Sequence, residues 1–277
     1  LFRPRTRTLL LAATGGLLAL LVAAPASAAA VAAPTSMASL GDSITRGFNA
    51  CGFFVDCTAR SFATGTTTAV NSQYLRILAV EPAINGRAFN DARSGAKAAD
   101  MAGQAQTAVG QGVQYVTLLI GANDACTSSE ATMTSTATFR AQIDAALGTL
   151  KSGLPSALVF IASIPDIKRL WDVGRVNSSA RTVWSLFGIC QSMLANPTST
   201  SAADSARRDR VRQRVVDFNT ALAQACTAYG ANCRFDGNAV FSFPFVLSQI
   251  STWDYFHPNQ AGQTALAQTT YAAGFNW

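Results

Sequence analysis

The sequence has 277 residues, 49% of them hydrophobic, with 21 basic against 15 acidic side chains and a net charge of +6. That is enough apolar material for one large folded domain and too much for a disordered chain. Three of the arginines fall in an N-terminal leader; the 18 basic and 15 acidic residues that remain differ by only +3, too little to argue for a nucleic-acid partner.

Arg3, Arg5 and Arg7 precede an apolar run over residues 9–24, and Pro25-Ala26-Ser27-Ala28 ends in an Ala-x-Ala pattern. This is the pattern of a secretory signal peptide over residues 1–28, with cleavage expected after Ala28, or alternatively Ala30 or Ala33. The run is shorter than the roughly 20 residues a membrane span needs. Residues 29–277 are then expected to form a single secreted domain, with 29–34 as a mobile small-residue lead-in.

The body alternates strand-like and helix-like stretches. A first strand is predicted at 37–40, ending at Gly41-Asp42-Ser43. A loop over 47–68 holds Cys51, Phe53, Phe54 and Cys57, and loops that long in compact domains are usually functional. The spacing of Val70, Tyr74, Ile77 and Leu78 predicts a helix over 69–80. A weak strand at 87–90 leads into a turn at 91–95, and an alanine-rich helix follows at 98–109. Residues 113–120 are β-branched and almost wholly apolar, as in a buried parallel strand, and end at Gly121-Ala122-Asn123-Asp124. Phe139, Ile143, Leu147 and Leu150 mark a helix over 138–151, and a second buried strand runs over 157–164 to Pro165.

Residues 173–194 read as mixed helix, 205–229 as one long helix, 232–235 as a short strand, and 239–247 as an aromatic-rich segment. Asn259 caps a final helix to about Tyr271. The one dense basic stretch, 207–214, precedes Val215, Phe218 and Leu222 at helical spacing. It reads as the solvated face of an amphipathic helix, with an anion-attracting patch as the alternative. Strands of this kind alternating with helices predict an α/β sandwich with a mostly parallel sheet. Such a sheet gathers the three polar turns, at 41–43, 94–95 and 121–124, along its carboxyl edge.

Six cysteines in an exported chain read as three disulfides, which sequence alone allows in fifteen pairings. Cys51 with Cys57 and Cys226 with Cys233 are close pairs, leaving Cys126 with Cys190. A zinc site is disfavoured, because there is no C-x-x-C and His257 is the only histidine.

That histidine lies in Trp253-Asp254-Tyr255-Phe256-His257-Pro258. Serine needs a base, a group to orient that base, and donors for the oxyanion. For Ser43 the base would be His257, oriented by Asp254 three residues earlier. The donors would be the backbone N–H groups of Ser43 and Gly95 and the side-chain amide of Asn123. The chain has no G-x-S-x-G elbow, P-loop or H-E-x-x-H.

These blocks, Gly41-Asp42-Ser43-Ile44, Gly95, Gly121-Ala122-Asn123-Asp124 and Asp254-Tyr255-Phe256-His257-Pro258, stand in one order across most of the chain. In this the sequence resembles the GDSL/SGNH hydrolases, with Ile44 in place of the family's leucine. The resemblance implies a three-layer α/β/α sandwich of flavodoxin-like type and ester hydrolysis without a metal or other cofactor. It also implies Ser43 as nucleophile, His257 as base, Asp254 as its orienter, and Ser43, Gly95 and Asn123 at the oxyanion positions. The exported form, six cysteines and long loop look most like secreted actinomycete lipases, esterases and phospholipases of that family.

Phe53, Phe54, Phe241, Phe243, Phe245, Trp253 and Phe256 flank the blocks and either fill the core or line an apolar cleft. Phe53 and Phe54, between two cysteines, are the better substrate-binding candidates, with Trp253 beside the histidine block. The expected partner is a small-molecule or lipid ester, with transient contact to a lipid surface and a monomeric chain. The competing functions are a carbohydrate acetylesterase and a non-catalytic lipid-binding module on the same fold.

Overall fold

The computed structural model describes residues 1–2 and 31–277. The leader read at 1–28 therefore lies, apart from Leu1 and Phe2, outside the described residues. Within the lead-in expected to be mobile, Ala33 packs against the core and Pro34 is buried.

Five strands make one sheet: β1 (Met37–Gly41), β2 (Ala88–Asn90), β3 (Tyr115–Leu119), β4 (Leu158–Ile161) and β5 (Cys233–Phe235). Their order is β2-β1-β3-β4-β5, and every neighbouring pair is parallel. β1 and β3 are buried at every position, as continuous apolar runs covered on both faces must be. In register, Met37 pairs with Tyr115 and Gly41 with Leu119, so both central strands stop at the same level.

The helices are α1 (Gln73–Leu78), α2 (Met101–Gln111), α3 (Ala122–Ala125), α4 (Thr136–Gly153), α5 (Ile167–Gly174), α6 (Ser178–Leu186), α7 (Gln191–Leu194), α8 (Ala202–Tyr229), α9 (Ala239–Ser242) and α10 (Gln260–Ala273). Tyr115 of β3 donates its hydroxyl to Gln73 of α1 at 2.6 Å, and its ring meets Phe275 and Trp277 just beyond α10. That face of the sheet is covered by α1 and α10. On the other, α4 lies between α2 and α8, and Phe139 of α4 stacks on Phe218 of α8 with centroids 4.1 Å apart. This is the three-layer sandwich expected from the sequence.

Element boundaries move where a cap decides them. The helix predicted from residue 69 begins only at Gln73, because Ser72 accepts a hydrogen bond from Leu75 N and caps it there. α8 starts three residues early, capped by Ser201 through Asp204 N. The segment 173–194 resolves into the end of α5, then α6 and α7.

The basic stretch of α8 departs from its expected solvated face. Arg208 is fully buried, its guanidinium 4.2 Å from the Trp171 ring centroid and donating to Ser199 O (2.8 Å) and Asn196 O (2.6 Å). Arg207 donates to Ala195 O (2.7 Å) and pairs with Asp204. Arg210 pairs with Glu130, Arg212 with Asp166, and Arg214 donates to Thr134 O. These arginines therefore staple α8 to the loops around it, with acceptors drawn largely from distant backbone carbonyls.

Disulfides join Cys51 to Cys57, Cys126 to Cys190 and Cys226 to Cys233, the pairs suggested by spacing. The first two cysteines are 6 apart in sequence, the second pair 64 and the third 7. Loop-closure entropy makes the long one worth about 4 kcal/mol and the 7-residue one about 2.4 kcal/mol. Replacing Cys126 and Cys190 together by Ser should lower Tm by about 10 °C, clearly more than replacing Cys226 and Cys233. Thermal unfolding of both double variants checks this; equal shifts would contradict it.

Candidate active site

The carboxyl ends of β2, β1 and β3 sit side by side, so the turns that follow them share one edge. Gly41 makes the first turn possible. It has φ +151°, and a Cβ there would lie 2.4 Å from both Leu119 O and Thr45 Oγ1. The chain next to it is held by Gln104 of α2, which accepts from Gly41 N (2.8 Å) and donates to Gly41 O (2.9 Å). Ser43 thus leaves the sheet from an immobilised strand end, and is itself largely buried.

His257 comes from the segment before α10, 214 residues later, and its Nε2 lies 2.7 Å from Ser43 Oγ. Its Nδ1 lies 2.5 Å from Asp254 Oδ2. The local chain is shaped for that contact: Asp254 Oδ1 accepts from the backbone N–H of Phe256 (2.9 Å) and His257 (3.1 Å), closing a turn with Tyr255 at φ +51°. Burial pushes the Asp254 carboxyl up, but the hydrogen bond and charge of His257, with these backbone donors, outweigh it and hold the group below its ordinary value. The carboxylate stays charged, as required of a group that fixes a histidine tautomer.

Asn49 was not singled out from the sequence. Its Nδ2 donates to Asp254 Oδ2 at 2.6 Å, and its Oδ1 accepts from Phe54 N at 2.6 Å. It therefore joins the carboxylate to the Cys51–Cys57 loop. Its only signal in the sequence is its place six residues after Ser43.

Hydrogen bonds tie together the turns that carry the oxyanion candidates. The turn holding Gly95 is fixed to the end of β1 by Arg93 N to Gly41 O at 3.1 Å. Asn123 Nδ2 donates to Ala96 O at 2.9 Å, which commits one of its two N–H groups and leaves the second. Asp124 locks the two turns together, accepting from Ala98 N (3.0 Å) and Thr134 Oγ1 (2.8 Å). Among the described residues, nothing accepts a hydrogen bond from the backbone N–H of Ser43 or of Gly95.

The substrate-binding candidates form an exposed aromatic rim. Phe53, Phe54 and Trp253 are each about half exposed, at 54%, 55% and 49%. Phe53 packs on Phe54 (4.6 Å) and Trp253 (5.4 Å), and Phe54 on Phe48 (5.8 Å), whose ring is 4.9 Å from His257. Of the other aromatics, Phe245 is buried, and Phe241 lies under the Arg212 guanidinium. Among the described residues no three His, Cys, Asp or Glu side chains cluster as metal ligands.

Asp42, beside Ser43, is fully buried; its Oδ1 accepts from Ile44 N (2.9 Å) and its Oδ2 has no partner among the described residues. Burial raises its pKa from the ordinary 3.8 to about 7, only partly offset by the Ile44 N–H and the charge of His257. Folded Asp42 thus keeps a proton that the unfolded chain has released. Its contribution to stability is full below 3.8 and is lost as pH rises towards about 7. Asp254 acts in the opposite sense, losing its contribution only as pH falls below its own 3.8. Asp42→Asn should flatten the decline in the urea midpoint between about pH 4 and pH 7; an unchanged decline would contradict the assignment.

Comparisons with known proteins bear on the family and the fold. The family profile described as GDSL-like Lipase/Acylhydrolase matches residues 37–269. Among solved structures, an extracellular lipase from Streptomyces rimosus superposes with a TM-score of 0.51 at 18% identity, covering 86% of this chain and 99% of that one. An acetylxylan esterase from Geobacillus stearothermophilus, solved as a catalytic mutant, superposes with a TM-score of 0.53 at 16% identity, covering 87% and 95%. At these identities the likeness is one of fold. No curated protein matches the sequence significantly. A profile matched from β1 into α10, with the serine and the sole histidine at its two ends, makes the chain a member of the GDSL-like lipase/acylhydrolase family.

Proposed function

We propose that the protein is a secreted serine ester hydrolase of lipase, esterase or phospholipase type, working through an acyl-enzyme on Ser43. The observation that carries this reading is the continuous line from Ser43 Oγ to His257 Nε2 (2.7 Å) and from His257 Nδ1 to Asp254 Oδ2 (2.5 Å). The first is the contact of a proton-transfer pair, and the second is a charge-assisted hydrogen bond that orients the ring.

In the reaction, His257 Nε2 takes the proton of Ser43 as Oγ attacks the ester carbonyl carbon. The carbonyl oxygen becomes an oxyanion, held by the N–H groups of Ser43 and Gly95 and the second N–H of Asn123, each donor worth about 10²–10³ in rate. His257 then gives its proton to the leaving alcohol. Water, deprotonated by the same nitrogen, attacks the acyl carbon; the bond to Ser43 Oγ breaks, the acid leaves, and His257 returns the proton to Oγ. Asp254, kept charged by its own donors, holds the ring and stabilises its cation throughout.

The aromatic rim beside His257 suits the apolar part of an ester and transient contact with a lipid surface. The exposed Trp253 is the one feature that favours the alternative, an acetylated carbohydrate; the phenylalanines around it weigh towards lipid. Three disulfides fit an oxidising, extracellular compartment.

Ser43→Ala should lower p-nitrophenyl butyrate turnover by at least about 10³-fold with an unchanged thermal transition, and Asp254→Asn by about 10⁴-fold or somewhat less. Near-normal rates in the serine variant would refute the reading.

A further inference from the structure

Behind the catalytic residues is an apolar cavity that none of the sequence motifs announces. Its lining includes their chain neighbours: Ile44 follows Ser43, Ala122 precedes Asn123, and Phe256 and Pro258 flank His257. Phe256 also lies edge-on to the His257 ring, with centroids 5.0 Å apart. One face of α5 also lines it, where Ile167, Leu170 and Val173 recur at a three-residue interval. Phe245 and Ile250 complete it.

Size, shape and polarity restrict what the cavity accepts. Its volume is about 60 Å³, several times the roughly 10–15 Å³ that one water needs. That is room for several methylene-sized groups. From Ile167 to Val173 the α5 wall extends about 9 Å, several carbon–carbon bonds long. The one charged lining side chain, Asp166, is already engaged: Oδ1 caps α5 through Lys168 N (2.9 Å) and Oδ2 takes Arg212 Nε (2.8 Å). A polyol or polar headgroup placed there would lose its hydration without gaining partners. A hydrocarbon tail gives up nothing on entering.

We propose that this cavity is the acyl subsite, selecting esters of unbranched acids well beyond acetyl and bounding their length at α5. The proposal rests on the ester-hydrolase reading above. The acyl group stays on Ser43 through both half-reactions, so it needs a place that leaves His257 Nε2 open first to the departing alcohol and then to water. Lodging the chain among Ile44, Ala122 and α5 does that. The exposed rim of Phe53, Phe54 and Trp253 is left to the alcohol side and the lipid surface.

The test is the ratio of kcat/KM for p-nitrophenyl octanoate to that for p-nitrophenyl acetate, measured on the purified chain. Leu170 is only partly buried, so Leu170→Trp fills the cavity from its solvent side. The ratio should fall at least tenfold, whereas Leu170→Ala should raise the palmitate-to-octanoate ratio. If the tryptophan variant does not fold, Val173→Phe is read in the same way. Ratios within twofold of the parent in the folded variants would overturn the acyl assignment while leaving the hydrolase reading intact. Failure of that reading has its own signature: the parent protein would hydrolyse none of these esters.

Discussion

The buried carboxylate of Asp254 is the point on which the site depends. A charge taken out of water costs several kcal/mol unless it is paired and hydrogen-bonded. Asp254 receives four donors: the His257 ring, the Asn49 amide and two backbone N–H groups. One of them comes from the segment following Ser43 and the other three from the turn before α10. Keeping this one group ionised therefore forces together two parts of the chain more than 200 residues apart in sequence. That closure is what sets His257 against Ser43.

The sheet supplies the rest of the geometry. Because β2, β1 and β3 are parallel neighbours, their carboxyl ends deliver three successive turns to one edge without any long-range design in the turns themselves. Hydrogen bonds then lock the turns to each other, from Arg93 N to Gly41 O and from the Asn123 side-chain amide to Ala96 O. Asp124, on α3 immediately after β3, holds the segment that follows Gly95. The donors proposed for the oxyanion are thus backbone and amide groups on fixed strand ends. Such preorganised donors need no rearrangement as charge develops, which is where their catalytic value lies.

Ser43, Gly95, Asn123, Asp254 and His257 were legible because each is a residue type with narrow chemistry at a strand end or in a compact turn, and because the chain has a single histidine. The strands were legible from their continuous apolar runs. The arginines of α8 were misjudged for a physical reason: their acceptors are mainly carbonyl oxygens near residues 195–199 and 134, and every residue carries a carbonyl whatever its letter. Asn49 was hidden likewise, since an asparagine in a loop is ordinarily local turn chemistry. The cavity was the least visible feature. Its walls are common apolar side chains from separate segments, and only the packing of α5 against the His257 turn makes them a surface.

The proposed reaction requires Ser43 to carry the acyl group during turnover. Mass spectrometry of the protein acid-quenched during hydrolysis of p-nitrophenyl octanoate, followed by digestion, tests it directly. An octanoyl adduct is expected on the peptide containing Ser43, at that residue. Turnover with the adduct on another residue, or with no covalent adduct under single-turnover conditions that release p-nitrophenol in a burst, would contradict it.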